Sequence, residues 1–137
     1  NIRNLQSRWW RDVNKEWITA ADYRCLVPFT AFAEPLRDPH WFYVPDVEVA
    51  CFAGVWRPWH GERLAEQPGQ KRRVRQERDW KLFSFLTTEA NEIVRPIHDK
   101  AMPVILIAPE EQSEWLSGGE ASLRLQRPLP NAQLRLR

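Results

Sequence analysis

The stretch that decides the fold is "VEVACFAGVW", residues 47–56. Valine, phenylalanine and tryptophan at this density favour a pleated strand. Ala53 and Gly54, late in the run, imply that another backbone approaches closely there. Working towards the N-terminus, "HWFYV" (40–44) reads as a short aromatic strand, followed by a turn at Pro45 and Asp46. "YRCLVPFTAF" (23–32) has strand character, with Pro28 marking an edge or a bulge. "SRWWRDVNKEW" (7–17) reads as a short amphipathic helix with Ser7 as its N-cap.

Towards the C-terminus, 57–79 is rich in proline, glycine and charge and is expected to be a long exposed hairpin loop. "WKLFSFLT" (80–87) is the next strand. Thr88 is expected to cap a helix over 89–97, with Glu89 in its first turn. "MPVILI" (102–107) is a buried strand. Pro109 opens a second helix over 109–116, and Gly118 and Gly119 end it. Strands and short helices without a βα rhythm indicate an α+β fold with a mixed or antiparallel sheet and short peripheral helices.

The chain has 137 residues, enough for one domain with a real core. Its formal net charge of +2 permits nucleic-acid binding without demanding it. Eight tryptophans exceed what a core of this size needs, which leaves some for a surface that stacks on flat groups. Cys25 and Cys51 sit in apolar runs, as buried reduced thiols do. No zinc-ligand spacing occurs, and no apolar run approaches the ~20 residues that span a bilayer. No metal, cofactor or membrane partner is therefore expected, and oligomeric state is left open.

Three side chains suggest chemistry. His98 lies between the expected helix and "MPVILI", where a neutral imidazole at a rim can take or give a proton. The alternative is a histidine that only satisfies a backbone carbonyl. Glu34 is the one carboxylate between Cys25 and Leu36. Partial burial favours the protonated form of a carboxylic acid, which would make it a proton donor; the alternative is a strand end turning outward at Pro35. Cys25 could be a nucleophile with His98 as base, though Leu26 and Val27 beside it argue for a core cysteine. Arg3, Arg8, Trp9, Trp10 and Arg11 could form a stacking and phosphate-binding surface for single-stranded nucleic acid, or could be one core tryptophan among solvated arginines.

Four segments resemble one family in the right order. "RCLVPFTAFAEP" resembles the RCLVPxxGFYEW motif of the SOS response-associated peptidase (SRAP) family, and "CFAGVWRPW" resembles its FAGLWexW strand. "FLTTEANEIVRPIHDKAMPVIL" resembles its TxxAN…IHxRMPVIL motif, and "NIRNL" its NARxE motif. "EEQSEWLSG" and "LQRPLP" extend the match almost to the end.

The resemblance implies a curved, barrel-like sheet with a positively charged groove. It implies recognition of abasic sites in single-stranded DNA. The covalent product would be a thiazolidine between the sugar aldehyde and an N-terminal cysteine exposed by removal of the initiator methionine. By position, Glu34 and His98 match the family's acid–base glutamate and histidine. Asn1 matches the asparagine that orients the substrate, and Arg3 the arginine that holds a phosphate. Thr87 or Thr88 matches the threonine near the DNA backbone. Lys100 stands where the family has an arginine, a point charge in place of a fork.

The chain departs from the pattern at Ala33 and Pro35, where the family has tyrosine and tryptophan, and it lacks the glutamate of NARxE. It has one extra residue in "HDKAMP" and no MCGR segment. Residues 1–137 are thus expected to be one SRAP-like domain, incomplete at its N-terminus, in the cytoplasm and at the nucleoid during DNA damage. The competing expectations are a non-covalent single-stranded DNA module and a cysteine peptidase or hydrolase using Cys25.

Overall fold

A computed structural model describes residues 1–137. Its longer strands are β1 (Arg24–Phe29), β2 (Phe32–Leu36), β3 (Asp38–Tyr43), β4 (Ala50–Ala65) and β5 (Val74–Phe85). Four two-residue strands follow: β6 (Thr87–Thr88), β7 (Met102–Pro103), β8 (Ile105–Leu106) and β9 (Arg135–Leu136). The α-helices are α1 (Lys15–Thr19) and α2 (Pro109–Ser117).

β4 is the centre of the fold. It pairs antiparallel with β1 on one side and with β5 and β8 on the other. Successive side chains of a strand point to opposite faces. Ala50 and Phe52 accordingly enter one core cluster, with Phe32, Phe42 and Met102, while Ala53 and Val55 enter a second, with Ile18, Leu86 and Trp115. A strand buried on both faces needs apolar residues at every position, which is why "ACFAGV" shows no polar alternation. A Cβ added at Gly54 would lie 2.7 Å from the Cys25 Sγ, so glycine here lets β1 close up on β4. The Trp115 indole N–H reaches the same place from α2, donating to the carbonyls of Gly54 and Cys25 at 2.9 and 3.1 Å.

The sheet is antiparallel throughout its named pairs but does not close into the barrel-like form the resemblance implied. It is divided into the β1-β4-β5 sheet with β8, a β2-β3-β9 sheet, and the β6-β7 pair.

Local expectations are corrected at several points. Residues 57–79 are not a loop. β4 and β5 pair without interruption from Gly54↔Phe85 to Ala65↔Val74, and only 66–73 lie between the strands. No α-helix forms over 89–97. A short turn stands there, held by Asn91, whose Oδ1 accepts from the N–H groups of Ile93 and Val94. Thr88 is not its cap; its hydroxyl donates to Glu89 at 2.9 Å. The helix expected over 7–17 divides into a π-turn at Trp9–Val13 and α1, and Ser7 makes no side-chain cap. "MPVILI" divides into β7 and β8, and Val104 between them bonds two neighbouring segments at once: its N–H donates to Leu86 O and its carbonyl accepts from Ala53 N–H.

The second helix is as expected, with Pro109 in its first turn, Glu110 and Glu111 beside it, and Gly118 after it at φ 73°. A Cβ at Gly118 would meet the Ala21 nitrogen and the Thr19 oxygen at 2.7 Å, so the end of α2 packs on the end of α1.

Candidate functional site

Glu34 and His98 meet although 63 residues separate them. Glu34 lies on β2, opposite His40 of β3. Its side chain is 18% exposed, so it is turned inward more than outward at Pro35. His98 closes the turn after Asn91, its N–H donating to the Val94 carbonyl at 2.9 Å. The His98 Nδ1 lies 3.2 Å from the Glu34 Oε2. That is hydrogen-bond distance, but the angle is poor, and the solvent-shielded Nδ1 has no better partner. The pair is thus an imidazole and a carboxylate within reach of one proton, held by two separate elements.

Both side chains line a cavity of about 400 Å³, together with Asn1, Thr87 and the apolar side chains of Phe32, Phe52, Phe85 and Met102. Asn1 is fixed there by its neighbour. The Ile2 N–H donates to Phe85 O and the Ile2 carbonyl accepts from Thr87 N–H, which splices the N-terminus onto the edge of the main sheet. Asn1 also lines a second cleft of about 320 Å³, walled by Trp9, Trp10, Trp17 and Trp56. The first contains a carboxylate and an imidazole, and the second contains neither.

The remaining candidates fall into three groups. Thr87 lines the cavity, whereas Thr88 is 1% exposed, keeps its hydroxyl on Glu89 and does not line it. Arg3 lies 3.5 Å from Glu89, and Lys100 is exposed between cavity residues His98 and Ala101. Glu89 is held below the ordinary carboxylate range, first by its own backbone N–H, then by the Thr88 hydroxyl and, more weakly, by Arg3. Trp9 is 58% exposed and free to stack, while Trp10 packs against the second core cluster.

Neither cysteine lines the cavity, and burial raises both thiols above their ordinary pKa. That is the opposite of what a thiolate nucleophile requires. No group of three His, Cys, Asp or Glu side chains is placed to hold a metal ion, and no helix is long and apolar enough to cross a membrane.

Two buried polar residues, one that holds the His98 turn and one that holds the fold behind it, escaped the sequence. Asn91 is buried and ties the His98 turn to the C-terminal segment through its Nδ2–H to the Leu129 carbonyl at 2.8 Å. Arg24 is 4% exposed and faces no carboxylate. It donates to the carbonyls of Ile18, Trp115 and Gly119 and to the Ser122 hydroxyl, at 2.7 to 3.2 Å, with its guanidinium 3.6 Å from the centre of the Trp115 ring. Burial pulls it down to about 10, so it is still charged at neutral pH. The signal was the arginine of "RCLVP", a charge opening an apolar strand.

A family model described as SOS response associated peptidase (SRAP) matches residues 11–137. No curated protein matches. Twelve solved chains do. A protein from Bacteroides thetaiotaomicron is 25% identical with a TM-score of 0.71, the match covering 99% of this chain and 56% of that one. A protein from Bordetella bronchiseptica is 21% identical with a TM-score of 0.73, covering 99% of this chain and 63% of that one, which shows likeness of fold. The chain therefore spans less than two thirds of either relative's length.

Proposed function

This chain belongs to the SOS response associated peptidase (SRAP) family, and from that premise we propose that it recognises abasic sites in single-stranded DNA. The covalent step is carried by an N-terminal cysteine of the family pattern, which residues 1–137 do not contain. The observation that carries the reading is the 3.2 Å approach of His98 to Glu34 inside a cavity that Asn1 also lines.

The chemistry suits these groups. The ring-opened abasic sugar presents an aldehyde. The cysteine α-amine adds to its carbon to give a carbinolamine, and loss of water gives an imine. That loss needs an acid, and Glu34 protonates the departing hydroxyl. The thiol sulfur then adds to the same carbon and its proton passes to the nitrogen, so one water leaves overall. His98 receives and returns protons at the sugar hydroxyl and in the reverse reaction. Asn1 orients the sugar, Thr87 approaches the backbone at the cavity wall, and Arg3 and Lys100 neutralise phosphates at its rim.

The test is fluorescence anisotropy with labelled single strands of equal length, one intact and one abasic. Tighter binding of the abasic strand supports the reading. Equal affinity would leave a non-covalent single-stranded DNA module, which the exposed Trp9 and the neighbouring tryptophan cleft favour as the second reading. Hydrolysis through Cys25 is not favoured, because burial raises that thiol's pKa and Cys25 does not line the cavity that His98 lines.

A further inference from the structure

The β4–β5 hairpin projects from the core as an arm whose two faces have different chemistry. Directly opposed residues of an antiparallel pair share a face. One face carries His60 opposite Asp79, Glu62 opposite Glu77, and Leu64 opposite Arg75. All the strand acids of the arm lie there, and they are engaged: His60 contacts Asp79 at 2.9 Å and Glu77 at 3.5 Å, and Arg75 contacts Glu62 at 2.7 Å.

The other face carries Arg57, Trp59, Trp80, Arg78 and Arg63, and no carboxylate. Its side chains are arranged around Gly61. A Cβ at Gly61 would fall 2.3 Å from the Trp59 ring, so glycine lets that ring lie flat along the strand. The Trp80 indole N–H donates to the Gly61 carbonyl at 2.8 Å, and the Arg78 guanidinium lies 4.0 Å from the Trp80 ring centre. Beyond Arg63, the turn adds Lys71 and Arg72, both exposed. Residues 57–82 hold eight of the chain's 20 Lys and Arg but four of its 18 Asp and Glu.

We infer that this acid-free face is a docking track for the single strand that flanks the lesion, binding phosphates through Arg57, Arg63 and Arg78 and bases through Trp59 and Trp80. This rests on the proposed function above. Charge complementarity points to a polyanion, and the flat tryptophans distinguish a strand with unpaired bases from an acidic protein, because stacking adds to the phosphate contacts. Continuity favours the same strand. Asn1 lines both the Glu34–His98 cavity and the tryptophan cleft, and that cleft ends at Arg57 and Leu82, where the track begins. From Arg57 to Arg63 the track runs about 20 Å at the usual strand rise.

The experiment compares two double substitutions that each remove two positive charges, from opposite faces of the arm. R63Q/R78Q alters the track, and R75Q/K81Q is the control. Affinity for intact and abasic single strands is read by anisotropy across a salt series, with circular dichroism to check folding. R63Q/R78Q is expected to weaken both strands about tenfold and to flatten the slope of log K against log salt by about 1.4, the share of two phosphates. R75Q/K81Q is expected to change affinity less than threefold. Trp59→Ala is expected to weaken binding with no change in the salt slope.

Equal loss from both double variants would overturn the track and leave only net charge. Binding unchanged in R63Q/R78Q, with the unsubstituted chain still preferring the abasic strand, would overturn the track and leave the lesion reading standing. No binding by the unsubstituted chain would overturn both.

Discussion

Arg24→Ala is expected to cost the fold a large share of its stability. The guanidinium gathers the end of α1, the end of α2 and the turn after it onto β1, through the carbonyls of Ile18, Trp115 and Gly119 and the Ser122 hydroxyl. A hydrogen bond from a charged donor contributes roughly 1.5–3 kcal/mol, and the stacking on Trp115 roughly a further 0.5–2 kcal/mol. Against this stands the cost of burying a cation with no anion, which is why the guanidinium is pulled down to about 10. Two of the orphaned acceptors keep a second donor, Gly118 N–H on Trp115 O and the Ser122 hydroxyl on Gly119 O. The net loss is then about 3–5 kcal/mol, two or so charge-assisted hydrogen bonds left uncompensated less the relief of the cation's desolvation, and a large part of the roughly 5–15 kcal/mol of a whole domain. Arg24→Lys keeps the charge but not the fork, and is expected to fall between. Urea unfolding followed by tryptophan fluorescence measures all three proteins. An Arg24→Ala loss below ~1 kcal/mol, or an Arg24→Met protein as stable as the original, would refute the reasoning by showing that desolvation outweighs the bonds.

Further outcomes follow from the same geometry. Glu89→Gln breaks an exposed pair and is expected to move stability by no more than ~0.5 kcal/mol while it frees Arg3 and raises single-strand affinity a few-fold, read by anisotropy. The Glu89 carboxyl is held below its unfolded value, so its small contribution is present at neutral pH and lost as pH falls through the folded value; that acid limb should vanish from the pH–stability curve of Glu89→Gln. Cys25 and Cys51 should react with iodoacetamide at pH 8 more slowly than free cysteine, because burial raises both thiols; fast alkylation of Cys25 by mass spectrometry would revive the hydrolase reading. Asn91→Ala removes the acceptor that closes the His98 turn and the donor to Leu129 O, and is expected to cost about 1–3 kcal/mol in urea unfolding.

The strands and α2 were legible because their side chains meet a core: "ACFAGV" is apolar throughout because both its faces are buried, and "PEEQSEWLSG" carries its start and stop residues. The arm was not, because neither of its faces is buried deeply enough to impose alternation, and its proline, glycine and charge read as loop. The turn at 92–97 looked helical for the converse reason: its apolar residues Val94 and Ile97 do pack on the core, but Pro96 limits the segment to about one turn. Within the site, Glu34 and His98 stood out as unusual residue types in their local setting. Arg24 and Asn91 did not, because their partners lie tens of residues away in sequence, and no local pattern encodes a carbonyl waiting at the end of another helix.

The most direct measurement is a denaturing gel of abasic single-stranded oligonucleotide mixed with a form of the protein that carries the family's N-terminal cysteine ahead of Asn1. The account predicts a shifted band that disappears when that cysteine is changed to serine and forms at least ~10²-fold more slowly with Glu34→Gln, the scale of a lost general acid. No covalent band, or one whose rate is indifferent to Glu34, would contradict it.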